Sequence, residues 1–123
     1  IWMLSISARI IRIRDIKAWT AKKTGDAITF LAEGSCIAVQ YRKSVKLPAP
    51  VALAVVDDDT EHAVRLDANF DETWGDKLEL ATLLEHGKKG RHIVTIRLAE
   101  THADDAVPFY LVSVIAAGRR GRD

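Results

Sequence analysis

Along most of this chain apolar and polar residues alternate with a period of two. In Leu4-Ser5-Ile6-Ser7-Ala8-Arg9-Ile10 every second side chain is apolar, the pattern of a strand with one buried face. The phase slips at Ile10-Ile11 and resumes in Ile11-Arg12-Ile13-Arg14. Such a slip predicts a β-bulge or a bend between two strands. Further strands are predicted at Ala27 to Leu31, Cys36 to Arg42, Val51 to Val56, His62 to Leu66, His92 to Leu98 and Phe109 to Ala116. Turn signals separate them: Thr24-Gly25-Asp26, Glu33-Gly34-Ser35, Pro48-Ala49-Pro50, the run Asp57-Asp58-Asp59, and Gly87-Lys88-Lys89-Gly90. Strands this short and this evenly spaced predict an all-β fold, an antiparallel β-sandwich or jelly roll. No alternation of strands with long helices points to a parallel sheet.

Two segments are less settled by pattern. Asp76 to Gly87, "DKLELATLLEHG", reads either as a helix stopped by Gly87 or as a strand Lys77 to Leu80 followed by one turn. The turn Gly87 to Gly90 is expected to be a tight corner into a core strand, with both glycines free to take positive φ. His92 at that strand's start then has a structural role. The apolar members of the alternating runs predict a core of Ile37, Val39, Val55, Leu66, Ile93, Ile96, Leu111 and Val114.

The chain has 123 residues, enough for one domain with its own core. We expect a single domain over 1–123, with 118–123, "GRRGRD", as a frayed tail or linker start. A net charge of +1 argues against nucleic-acid binding, which needs many phosphates neutralised. Charge is uneven: Arg9, Arg12, Arg14, Lys17, Lys22 and Lys23 crowd the first part, and Asp57, Asp58, Asp59, Glu61, Asp67, Asp71, Glu72 and Asp76 the middle. These read as two solvated faces, or as complementary surfaces in an assembly. Cys36 is the sole cysteine, so no internal disulfide forms and a buried apolar role is expected. The compartment leans toward the cytoplasm, with a disulfide-free secreted protein as the alternative. No apolar run reaches the roughly 20 residues of a membrane helix, so no membrane partner is expected.

Catalytic signatures are missing. The elbow G-x-S-x-G fails in "EGSCI" at Ile37. There is no H-E-x-x-H, cysteine pair or phosphate loop. The four histidines, His62, His86, His92 and His102, form no patterned ligand set. "VDDDTEH" lacks the spacing and mid-loop glycine of a calcium loop. No cofactor and no metal is expected.

Aromatic residues give a better lead. "DANFDETWGD", Asp67 to Asp76, sets Asn69, Asp71 and Glu72 around Phe70 and Trp74. An aromatic platform ringed by hydrogen-bonding side chains suits a sugar, which presents C–H faces and hydroxyls. The candidate ligand-binding residues are Trp74 as platform with Asn69, Asp71, Glu72, Trp19 and His86. The competing role for Trp74 is a core plug beneath the loop.

Several passages resemble a known module. "GDAITFLAEGSCIAVQY", Gly25 to Tyr41, resembles the early strand pair of the N-terminal jelly-roll, galactose-binding-like accessory domain of SGNH/GDSL-type carbohydrate esterases. "VALAVVDDDTEHAVRLD" is similar to its strand with a v-x-v-D-G turn, Asp58-Asp59 standing where Asp-Gly is usual. "LATLLEHGKKGRHIVTIRLAE" is similar to L-x-x-G-x-H-x-V-x-I, and Pro108 to Ala117 to the closing strand. The resemblance covers about residues 25 to 117. It implies a module without a catalytic serine, joined to an esterase, that binds carbohydrate or supports the enzyme. The alternatives are a structural, self-associating jelly roll and a small hydrolase using His86 or His92 with a carboxylate.

Overall fold

A computed structural model describes residues 10–12, 19–71, 75–85, 87–88 and 90–117. They form nine strands: β1 Ile10–Arg12, β2 Trp19–Ala21, β3 Ala27–Glu33, β4 Cys36–Lys43, β5 Val51–Val56, β6 Val64–Asp67, β7 Lys77–Leu84, β8 Arg91–Glu100 and β9 Phe109–Ala117. The one helical element among the described residues is a 3-10 turn, Thr60–His62. No helix among them is long and apolar enough to cross a membrane.

The strands make two sheets. One has five strands in the order β1-β3-β8-β5-β6, the other four in the order β2-β9-β4-β7. Every neighbouring pair is antiparallel except β1 and β3, which run parallel. From β3 onward the chain mostly crosses from one sheet to the other, so both inner faces are built from residues far apart in sequence.

The two inner faces are the apolar phases of the alternation. In β8, Val94, Ile96 and Leu98 are fully buried, and Thr95 and Arg97 between them are not. Phe30, Ala52, Ala54 and Leu66 join them from one sheet, and Ile37, Val39, Tyr41, Phe109 and Leu111 from the other. Interdigitation of such faces is how two sheets fill a sandwich. Phe109 stacks on Tyr41 at 5.8 Å between ring centroids, and Trp19 meets Phe109 edge-on at 6.4 Å.

Two expected core residues face the other way. Ile93 and Ile96 are an odd number of positions apart, so one continuous strand cannot bury both on one face. The register buries Ile96 and turns Ile93 outward. Val55 likewise points away while Ala54 faces the core. Ile37, Val39, Leu66, Ile96 and Leu111 are fully buried, and Val114 packs against them partly exposed. Cys36 opens β4 half-buried.

Asp76 to Gly87 resolves in favour of a strand, and a longer one than the pattern marked. Gly87 therefore ends no helix, and its φ is not positive, whereas Gly90 has φ +120°. Gly87 is confined in another way: a Cβ there would lie 2.7 Å from the Leu84 side chain. β2 is a strand the alternation did not mark. The slip at Ile10-Ile11 falls within β1, and the alternating stretch before it lies outside the described residues.

Candidate functional site

Strand direction gathers four loops at one end of the sandwich: 22–26, 44–50, 101–108 and, in its described residues, 68–71 with 75–76. They are bonded to one another. Ser44 N–H donates to the Ala68 carbonyl (2.7 Å) and Phe70 N–H to that of Ser44 (3.0 Å). Val45 N–H donates to an Asp76 carboxylate oxygen (3.1 Å). Ala106 N–H reaches the Pro48 carbonyl (2.9 Å), and the hydroxyls of Thr24 and Thr101 meet at 2.7 Å. Loops tied this way to a rigid sandwich are ordinary places for a binding site.

Asn69 and Asp71 lie in this cluster. Asn69 is the bolt of its loop. Its amide donates to the Ala49 carbonyl (2.9 Å) and an Asp67 carboxylate oxygen (2.7 Å), and its own oxygen accepts from Ala49 N–H (2.8 Å). Both amide hydrogens are thus spent on the framework and cannot be offered to a ligand at the same time. Burial pushes the Asp67 carboxyl upward, but the Asn69 side chain and backbone N–H, with the charges of Arg65 and Lys43, hold it below its ordinary value. Beside it, burial pushes the Tyr41 hydroxyl up to about 12, helped by the charges of Glu79 and Asp67. Asn69→Ala is expected to cost about 1–2 kcal/mol, because Ala49 and Asp67 lose their partners. A urea midpoint unchanged from the parent would remove Asn69 from the framework.

Asp71 is exposed. Trp19 is half-buried at the core margin, with its ring edge-on to Phe109. Trp74, Glu72 and His86 lie outside the described residues. The described residues of the β7–β8 turn, 85, 87–88 and 90, lie at the opposite end of the sheets from this loop cluster.

The loop end also holds a cavity of about 270 Å³, lined by Lys22, His102, Asp105, Ala106, Val107 and Pro108 among others. Asp105 fixes the imidazole: one carboxylate oxygen lies 2.9 Å from His102 Nδ1 and the other accepts the His102 backbone N–H at 2.9 Å. Asp105 N–H returns to the His102 carbonyl at 3.1 Å, closing the turn. Pattern reasoning assigned these residues no role. The available signal was His102-Ala103-Asp104-Asp105, a histidine and an aspartate three apart in a polar turn. Among the described residues no three His, Cys, Asp or Glu side chains converge as a metal site would require.

No family model matches this chain, and no curated protein matches it. Solved structures do. A two-domain esterase active on acetylated mannans matches with 68% identity and a TM-score of 0.81, over 85% of this chain and 28% of that one. A crystal structure of such an esterase with mannopentaose matches with the same identity, coverage and TM-score. The chain therefore spans little more than a quarter of the length of the enzyme it matches. At this identity it is a relative of one part of a two-domain carbohydrate esterase and shares that part's β-sandwich fold.

Proposed function

We propose that the chain is the non-catalytic sandwich module of a carbohydrate esterase, and that it binds the mannan chain on which a joined catalytic domain acts. The observation that carries this is the 68% identity to part of an esterase active on acetylated mannans, a protein crystallised with mannopentaose. The tied loop end supports it as a rigid frame for recognition. The binding residues in this reading are Trp74 as platform, with Asp71, Glu72 and Trp19 as further candidates. A single platform ring is worth about 0.5–1.5 kcal/mol beyond its buried area. Trp74→Ala is therefore expected to weaken mannopentaose binding about tenfold or more, with the melting temperature unchanged. Calorimetric titration checks this. A variant that unfolds would make Trp74 a core plug, and a wild-type domain with no affinity for mannan would end the reading.

A second reading, support of the joined domain by direct packing, is favoured by one surface. The edge strand β7 turns Leu78 and Leu80 outward, each 54% exposed, and Ile115 on β9 of the same sheet is 46% exposed. Replacing both leucines by threonine in the two-domain protein would lower its unfolding temperature if this face packs against the catalytic domain, and leave it unchanged otherwise.

A further inference from the structure

We infer that the cavity between Lys22 and the His102–Asp105 turn is a subsite for one neutral pyranose ring of the bound polysaccharide. This rests on the reading of the chain as a mannan-binding module. The volume, about 270 Å³, falls just under the roughly 300–1,000 Å³ of drug-sized ligand sites, which leaves room for a single sugar ring.

The chemistry of the lining is complementary to adjacent hydroxyls. His102 Nδ1 faces the Asp105 carboxylate at 2.9 Å. A carboxylate only accepts, so Nδ1 carries the proton, and in the neutral ring Nε2 is left as an acceptor. Nε2 has no partner among the described residues, and the His102 side chain is 43% exposed. Lys22 has no ion-pair partner among the described residues either, and its ammonium offers three donors. One hydroxyl donating to Nε2 while its neighbour accepts from Lys22 is the requirement of a vicinal diol. Ala106, Val107 and Pro108 provide an apolar wall for the ring's C–H face.

Asp105 is the positioning residue. Its side chain is only 13% exposed, and both its oxygens are used to hold His102. The imidazole is thus set before any ligand arrives, which spares the entropy of ordering it on binding.

The experiment is calorimetric titration of the wild-type domain, Lys22→Met and His102→Ala with mannopentaose, together with amide chemical-shift mapping on the wild type. The expected result is an affinity loss of about tenfold or more in each variant at unchanged melting temperature, with the largest shifts at 102–107 and at Lys22. Shift mapping keeps the test decisive if a variant fails to fold. Shifts confined to loop 68–76, or variants that bind as the wild type does, overturn the subsite and leave the module reading standing. A wild-type domain that gives no heat and no shifts with mannopentaose overturns both.

Discussion

Phe109→Ala is expected to lower the unfolding free energy by about 3–5 kcal/mol. Phe109 is fully buried at the start of β9, stacked on Tyr41 from β4 and met edge-on by Trp19 from β2. Removing the ring costs its transfer free energy, and it also opens a cavity between three strands that backbone hydrogen bonds hold in place. Aromatic pairing of this kind adds about 0.5–1.5 kcal/mol beyond area. Small domains are stable by only about 5–15 kcal/mol, so the variant would be close to unfolded. Ile115→Ala is the control. It lies on the same strand but faces outward at 46% exposure, and its change should stay within about 0.5 kcal/mol. Urea melts of the two variants check the pair. Equal midpoints would mean that the inner and outer faces of β9 are assigned wrongly.

That assignment was legible in part. Where one face of a strand is buried and the other wet, alternation marks the strand, as in β3, β4, β5, β8 and β9, and the facing of residues such as Ile37, Val39 and Ile96. It fails where polarity is inverted. β7 points Leu78 and Leu80 to the outside and holds Glu79 opposite Tyr41, so its leucines followed no inward phase and read equally as a helix. It fails again at Ile93 and Val55, where β-branched residues occupy the outer face because they suit any strand surface. The candidate site was less legible. Asn69 has the residue type of a sugar ligand, and only the fold shows its amide committed to Ala49 and Asp67. The nearness of Lys22 to His102 arises from β2 and β9 pairing across most of the chain's length, which no local pattern encodes. The Asp57-Asp58 turn was visible as a turn. That both residues hold positive φ, +52° and +61°, was not, and neither was the reason one of them is kept there.

That reason leads to the second large effect. His92, 7% exposed on the inner side of β8, lies 2.5 Å by Nδ1 from the Asp57 carboxylate and 2.6 Å by Nε2 from the Lys88 carbonyl. The other Asp57 oxygen accepts Ile93 N–H at 2.9 Å, and Asp57 N–H donates to the Ile93 carbonyl at 2.7 Å. Both ring nitrogens thus face pure acceptors, so the imidazolium, which donates from both, satisfies the site completely and the neutral ring cannot. Burial alone would push the His92 pKa down. The hydrogen bond and charge of Asp57, with the backbone of Lys88 and Gly34, overcome it and raise the pKa above its ordinary value. A raised folded pKa contributes stability that is full below the unfolded value, about 6.5, and is lost as pH climbs through the folded value. Asp57 is 49% exposed, so solvent screens the charge pair and the two hydrogen bonds supply most of the gain. At pH 6, His92→Ala is expected to cost about 2–3 kcal/mol, since hydrogen bonds to charged groups contribute about 1.5–3 kcal/mol each and screening takes back part. Urea melts of both proteins from pH 5.5 to 9 give the difference free of other titrating groups. The gap should be widest near pH 6 and narrow steadily above it. A gap that is constant, or that widens with pH, would show that His92 is held neutral and that the turns at this end are joined by packing rather than by its charge.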